Sequence, residues 1–166
     1  MAFYVEKDEG IRELDLPLEE LFEKVAGEAL KYTGCPYECE ADLTLTDDEG
    51  IREINRTQRN IDAPTDVLSF PFMEFDHPGD FSRAEEDYPD CFDPETGELM
   101  LGDIMISTDR VTAQAEEYGH SVKREYAFLI AHSMLHLQGF DHIEPEDAVI
   151  MEQAQKEILD RVGIRR

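Results

Sequence analysis

Cysteine and positive charge are both scarce in this 166-residue chain. Cys35, Cys39 and Cys91 are an odd count without a Cys-x-x-Cys pair, so a disulfide framework has no basis here. Two lone thiols at Cys35 and Cys39 without a second pair are a poor metal site, and all three read as reduced thiols. No stretch approaches the roughly 20 apolar residues that cross a bilayer. The first residues lack the basic segment and apolar run of a secretory signal. The expectation is a cytoplasmic protein without membrane contact. No repeat or linker is visible, and the length suits one domain with its own core, residues 1–166.

Lys and Arg number 15 against 40 Asp and Glu, a formal net charge of −25. That balance counts against tight, sequence-independent binding to phosphate backbones. The segment 74–98 holds ten acidic residues against one basic, a net of −9, leaving 30 against 14, or −16, elsewhere. It also holds Pro78, Gly79, Pro89, Pro94 and Gly97, which break regular structure. Its acids do not follow calcium-loop spacing. It reads as a solvated, mobile acidic loop insertion.

Elsewhere the periodicities are regular. Ala2 to Glu6 reads as a first strand. Pro17 opens a helix carrying Leu18, Leu21, Phe22, Val25, Ala29 and Leu30, stopped at Gly34. Glu38 to Thr46 alternates as a strand with one buried face. Thr46 and Glu49 have capping-box spacing ahead of a helix through Ile51, Ile54 and Asn55. Thr65 to Phe70 is a strand between Pro64 and Pro71, a placement that suits a sheet edge. Leu99 to Ile106 is a further strand. Ser107 or Thr108 caps a helix with Val111, Ala115 and Tyr118, ending at Gly119. Ser121 begins another helix. Pro145 opens the last, with Val149, Ile150, Ala154, Ile158 and Leu159 as its stripe. These elements predict an α/β fold: a small mixed sheet with helices around one buried central helix.

That buried helix carries the chemistry. From Tyr126 to Leu137 it has no formal charge and is apolar nearly all round, the mark of a buried helix. His132 and His136 are four apart and share one face. Gly139 stands where a left-handed residue ends a helix, with Phe140 placed to meet Leu135. The chain then turns and brings His142 back toward the first two. One buried histidine is usually a hydrogen-bonded core residue; three converging imidazoles make a metal site. Three ligands with an open fourth position is the catalytic form of a zinc centre.

The spacing H-x3-H-x2-G-x2-H matches the metzincin proteases, which carry a Glu after the first His as general base. Here that place is Ser133, which cannot take a proton from water at neutral pH. The metal ligands are present and the proteolytic base is missing.

The stretch His132, Leu135, His136, Leu137, Gly139, Phe140, Asp141 and His142 resembles the signature of the YbeY endoribonucleases, the bacterial rRNA maturation factors. Ser133 departs from it, since that family usually has Gly there. Asn55 to Pro71, with Pro64-Thr65-Asp66-Val67-Leu68-Ser69-Phe70-Pro71 at its core, resembles a second family block. Leu101-Gly102-Asp103-Ile104-Met105-Ile106-Ser107 resembles a third. The resemblance implies a zincin-like site with one Zn2+ held by His132, His136 and His142, and the strand at Thr65 to Phe70 as one wall of its cleft. It implies a single-strand endoribonuclease that acts on precursor rRNA, at the 16S rRNA 3′ end, and in ribosome quality control with ribosomal subunits or proteins. It also makes Arg59 the functional arginine. A guanidinium can hold two oxygens of a phosphate whose charge grows during attack. Arg52, Arg56 and Arg59 lie close together, so a salt-bridging surface cluster is the rival reading.

Asp141 and Ser133 are candidates for supporting the ligands, although an aspartate in a turn often bonds its own backbone. Glu125 lies on the His132 face but suits the helix dipole at its position. His77 and His120 are expected at the surface. Two other functions stay open: a metal-dependent hydrolase of a non-RNA substrate, and a non-enzymatic ribosome assembly factor whose metal only holds the fold.

Overall fold

The computed structural model describes residues 2–164. Four strands, β1 (Ala2–Lys7), β2 (Cys39–Thr46), β3 (Val67–Pro71) and β4 (Leu99–Ser107), form one sheet in the order β1-β2-β4-β3. The pairs β1/β2 and β2/β4 are parallel and β3/β4 is antiparallel. The sheet is therefore mixed, and β3 is an edge, as its flanking prolines require. Parallel pairs need crossovers. Helix α1 (Leu18–Thr33) joins β1 to β2, and α2 (Asp48–Arg59) leads from β2 toward β3. After β4 come α4 (Thr108–Tyr118), α5 (Val122–Leu137) and α6 (Pro145–Arg161).

Helix α5 is the hub. It packs on α1, α4, α6, β3 and β4, and ten of its residues are buried, from Glu125 to Leu137. Tyr126, fully buried, donates its hydroxyl to the Leu18 carbonyl at 3.0 Å, so the ring's polar end is satisfied. Leu129, Ile130, Met134 and Leu135 are buried beside it, each worth about 1.5–3 kcal/mol in apolar transfer.

Three expectations are corrected. The cap of α2 is Asp47, whose carboxylate accepts from the Gly50 amide at 2.8 Å, and not the Thr46–Glu49 box. Thr46 is the last residue of β2 and is buried, while the adjacent carboxylate carries the charge that a helix start favours. In α6, Val149 and Ile150 are exposed, and the inner face is Met151, Ala154, Gln155, Ile158 and Leu159. A buried glutamine on that face hid its true phase. Tyr118 is likewise exposed, while Val111 and Ala115 hold α4 to the core.

The third correction concerns the acidic segment. It contains a short helix, α3 (Ala84–Asp87), and a 3-10 turn at Pro89–Cys91. Phe81 and Ala84 are buried in the main core. Phe81 meets Phe75 and Tyr37 edge-on at 5.2 and 6.4 Å. The Gly79 amide donates to the Gln138 carbonyl at 2.8 Å, at the end of α5. The acids face water while four aromatic and small residues beneath them dock the segment. It is a packed cover, not a solvated appendage.

Candidate metal centre and its groove

The end of α5 is built as its sequence predicts. Ser121 caps its start, accepting from the Arg124 amide. At the far end the Phe140 amide donates to the Leu135 carbonyl and the Gly139 amide to that of His136. This pair of bonds is a Schellman closure, and Gly139 adopts φ +91° to make it. A Cβ there would fall 2.5 Å from that of Phe75. Glycine is thus required both for the turn and for the approach of the acidic segment.

The turn delivers His142 to His132 and His136. One ring nitrogen from each lies within 4.8 Å of the others. The Nε2 atoms of His132 and His136 stand 3.1 Å apart. A tetrahedral ion bound at about 2.0–2.1 Å separates its ligand nitrogens by roughly 3.3 Å, so the pair fits, and the exposed His142 has room to close on it.

The surroundings set which nitrogen faces the ion. His136 Nδ1 donates to the Phe140 carbonyl at 2.9 Å, which leaves the lone pair on Nε2, pointing at His132. Gln155 of α6 meets His132 Nδ1 at 2.6 Å. The contacting atom is the Gln155 amide nitrogen, which donates to Nδ1 in the metal-free ring. With Nε2 of His132 given to a metal, Nδ1 carries the proton, and the amide turned over presents its oxygen to accept it. Burial pulls the His132 pKa down to about 3, aided by the neighbouring rings of His136 and His142. Burial also lowers that of His136, against the Phe140 carbonyl, which raises it. Both rings are neutral at neutral pH and ready to bind a cation. The three histidines can hold a metal ion.

Arg59 ends α2 and lines a groove of about 620 Å³ together with His132, His136 and His142. The opposite wall is β3, through Val67, Leu68 and Ser69, so the edge strand forms the expected cleft wall. The three arginines of the cluster differ in their partners. Arg52 pairs with Glu49 and Asp62, and Arg56 with Glu53. Arg59 is exposed and has no ion pair among the described residues.

Neither Ser133 nor Asp141 hydrogen-bonds a histidine ring, although the Asp141 charge lies close enough to favour the protonated form of His136. Ser133 is fully buried, and its hydroxyl pairs with that of Ser69 on β3 at 2.9 Å. The hydroxyl has room because β3 supplies a partner for it. Asp141 accepts from the Ile143 amide at 2.6 Å, the local turn bond, and its carboxylate lines the groove. The orienting groups are instead Gln155 and the Phe140 carbonyl. Gln155 was legible only as an odd polar residue amid the apolar stripe of α6. Asp66 was also missed. Its carboxylate lines the groove, held by the Val67 amide at 2.8 Å and by Gln114 at 3.4 Å. Glu125 is buried far down α5 and accepts from Gln114 at 2.9 Å. His77 is exposed as expected; His120 is half-buried near the Tyr118 ring.

Comparison with known proteins agrees with this geometry. Residues 4–163 match the family model described as endoribonuclease YbeY. An endoribonuclease YbeY from Lachnoclostridium phytofermentans is 53% identical over 166 residues, covering 100% of both chains. Another, from Agathobacter rectalis, is 52% identical over the same span and also covers 100% of both. A solution structure from Thermotoga maritima superposes with a TM-score of 0.61 at 27% identity, covering 98% of this chain and 89% of that one. On the family match and these full-length relatives together, the chain belongs to the YbeY endoribonuclease family.

Proposed function

We propose that the protein is a zinc-dependent, single-strand endoribonuclease of rRNA maturation. It acts at the 16S rRNA 3′ end and in ribosome quality control, in the cytoplasm, with ribosomal subunits or proteins as partners. The observation that carries this reading is one groove holding both a three-histidine cluster and an arginine free of acidic partners among the described residues. When bound, a zinc ion supplies Lewis acidity and lowers the pKa of water at the site.

The chain's own residues do the rest. His132, His136 and His142 are neutral donors and cancel none of the ion's charge, so the centre attracts an anion. Arg59, which lines the same groove, holds phosphoryl oxygens in this reading as negative charge develops on them. The pairing of Arg52 and Arg56 with local acids leaves this cation as the one that α2 offers to substrate. A peptidase reading lacks its base. Ser133 faces β3 and not the groove, so position 133, where metzincins carry their Glu, offers no group to activate water.

The test is incubation of zinc-loaded protein with precursor rRNA, with and without ribosomal proteins. Wild type should cleave. His136→Ala should lose most of its zinc and its cleavage. Arg59→Glu should retain zinc and melting temperature yet lose cleavage, because it acts on substrate charge. Cleavage by Arg59→Glu at the wild-type rate refutes the arginine's role. Binding to pre-ribosomal particles without cleavage by wild type supports the non-enzymatic assembly factor, and hydrolysis of a peptide alone supports another hydrolase.

A further inference from the structure

Beyond the groove, α5 carries a second ordered row. Arg124, Phe128, His132 and His136 are spaced by four, so they lie along one ridge of the helix. Each step is about 6 Å along the axis. The ridge thus presents a guanidinium, an aromatic ring and then two metal ligands, in line. Phe128 stacks on the His132 ring, 6.3 Å between centroids at 23°.

Cavities follow this ridge. On the far side of His132 and His142 from Arg59 lies a pocket of about 320 Å³, with Phe128, Glu152 and Gln155 in its walls. It shares Asp66, His132 and His142 with the main groove. A further cavity of about 600 Å³, lined by Arg124 and Lys156, shares Phe128, Glu152 and Gln155 with the pocket. The three spaces share walls and form one track, which runs from the β3 groove past the histidines and then between α5 and α6. Each end carries cations, Arg59 at one and Arg124 and Lys156 at the other, the latter beside the carboxylates of Glu152 and Asp160. Arg124 and Lys156 make no ion pair among the described residues, and the Arg124 Nε is buried without a hydrogen-bond partner. In this chain of net charge −25 most described arginines are engaged by carboxylates, whereas Arg124 and Lys156 stand unpaired beside the Phe128 ring. Glu152, in the pocket wall, repels phosphate but accepts from the amino or imino groups of a base.

We infer that the groove between α5 and α6 seats the part of the RNA strand that continues past the cut. One base lies against Phe128 with its polar edge toward Glu152 and Gln155, and its phosphate lies at Arg124 and Lys156. Aromatic platforms flanked by cations are how proteins hold single strands without reading sequence. This inference rests on the endoribonuclease reading and extends its site beyond Arg59.

The test is fluorescence anisotropy on zinc-loaded protein, with a long single-stranded 2′-O-methyl RNA and a dinucleotide of the same chemistry. Arg124→Gln/Lys156→Gln should bind the long RNA about tenfold more weakly, with dinucleotide affinity unchanged. Each lost phosphate contact lowers the slope of log affinity against log salt by about 0.7 for a single strand, so the double variant should lose roughly 1.4. Phe128→Leu should weaken the long RNA by roughly fivefold or more, and Phe128→Tyr should not. If affinity and salt slope are unchanged in the double variant while Arg59→Glu still weakens binding, the strand leaves by another route and only this inference fails. Equal weakening for the dinucleotide and the long RNA also overturns it, since the effect would then not belong to the strand's extension. No binding by wild type overturns the endoribonuclease reading with it.

Discussion

Gln155→Leu isolates what the α6 contact does for the metal site. Gln155 is buried and touches His132 Nδ1 at 2.6 Å, the ring face away from the other histidines. Leucine fills similar space and cannot accept a hydrogen bond. In the metal-loaded protein, the Nδ1–H of a largely buried ring is then left without a partner, a cost of about 1–3 kcal/mol. Because that proton sits on Nδ1 only when Nε2 is given to the metal, the cost falls on the loaded state. Zinc affinity should drop by roughly 10- to 100-fold, the range usual for loss of a group that orients a ligand imidazole. In the metal-free protein the proton sits on Nε2 and the Gln155 amide donates to Nδ1. Leucine leaves an unpaired acceptor there and should lower that melting temperature too. The drop should be smaller than in the loaded form, since an unpaired acceptor is tolerated better than an unpaired donor. Gln155→Glu, which offers a stronger acceptor, should retain or raise affinity. The assay is competition for zinc against a chromophoric chelator at neutral pH, with thermal melts of the metal-free and loaded forms. Unchanged affinity in Gln155→Leu would refute the assignment of this bond to the loaded state. An equal loss of metal-free stability would make Gln155 a packing residue.

Three further outcomes are expected. Ser133→Glu buries a carboxylate whose nearest partner is one hydroxyl, so it should lose soluble folded protein, whereas Ser133→Gly should fold, keep its zinc and lose about 1 kcal/mol, read by denaturant melts; normal stability for the glutamate variant would show that position 133 opens to solvent. Phe81→Ala should destabilise by about 3 kcal/mol while Glu85→Gln/Glu86→Gln changes stability by less than about 0.5 kcal/mol, because the acidic segment is held by its apolar underside; equal melting of Phe81→Ala and wild type would restore the picture of a mobile appendage. The metal-free protein should lose stability as pH falls from about 6.5 toward 3. Unfolded histidines take up protons below about 6.5, while His132 in the fold resists until about 3, so the unfolded state binds more protons across that window; a flat melting temperature there in wild type, or the same slope in His132→Phe, would contradict the burial argument.

Much of this site is local in sequence, which is why it could be read. His132 and His136 need only helical spacing, and Gly139 closes the helix through bonds within six residues. The edge position of β3 follows from Pro64 and Pro71 and its antiparallel pairing with β4. What escaped is non-local. Gln155 reaches His132 across 23 residues, and its signal was the very irregularity that shifted the predicted face of α6. The partner of Ser133 is Ser69, 64 residues away on another element, so only the fold could show that the hydroxyl turns from the metal. Acid and proline content hid the packing of segment 74–98. Composition reports its solvent face, while Phe75, Phe81 and Ala84 decide that it docks.

Net charge misleads for a related reason. A total of −25 describes the molecule at long range, but exposed charges more than about 8–10 Å apart are largely screened in physiological salt. An RNA strand in the groove responds to what lies beside it. Arg12, Arg52, Arg56, Arg83, Arg110 and Arg161 are each engaged by a carboxylate. Those pairs are surface contacts worth little individually, yet they neutralise cations that could hold phosphate elsewhere. Among the described residues Lys24, Lys31, Arg59, Lys123, Arg124 and Lys156 are left without an ion pair, and three of them, Arg59, Arg124 and Lys156, lie along the track that passes the histidines. The acidic surface thus opposes non-specific RNA binding over most of the molecule, while the track gathers three unpaired cations on either side of the histidines. On this argument, adding basic residues outside the track should raise RNA affinity without raising the rate of cutting at the metal, and removing a track cation should lower both.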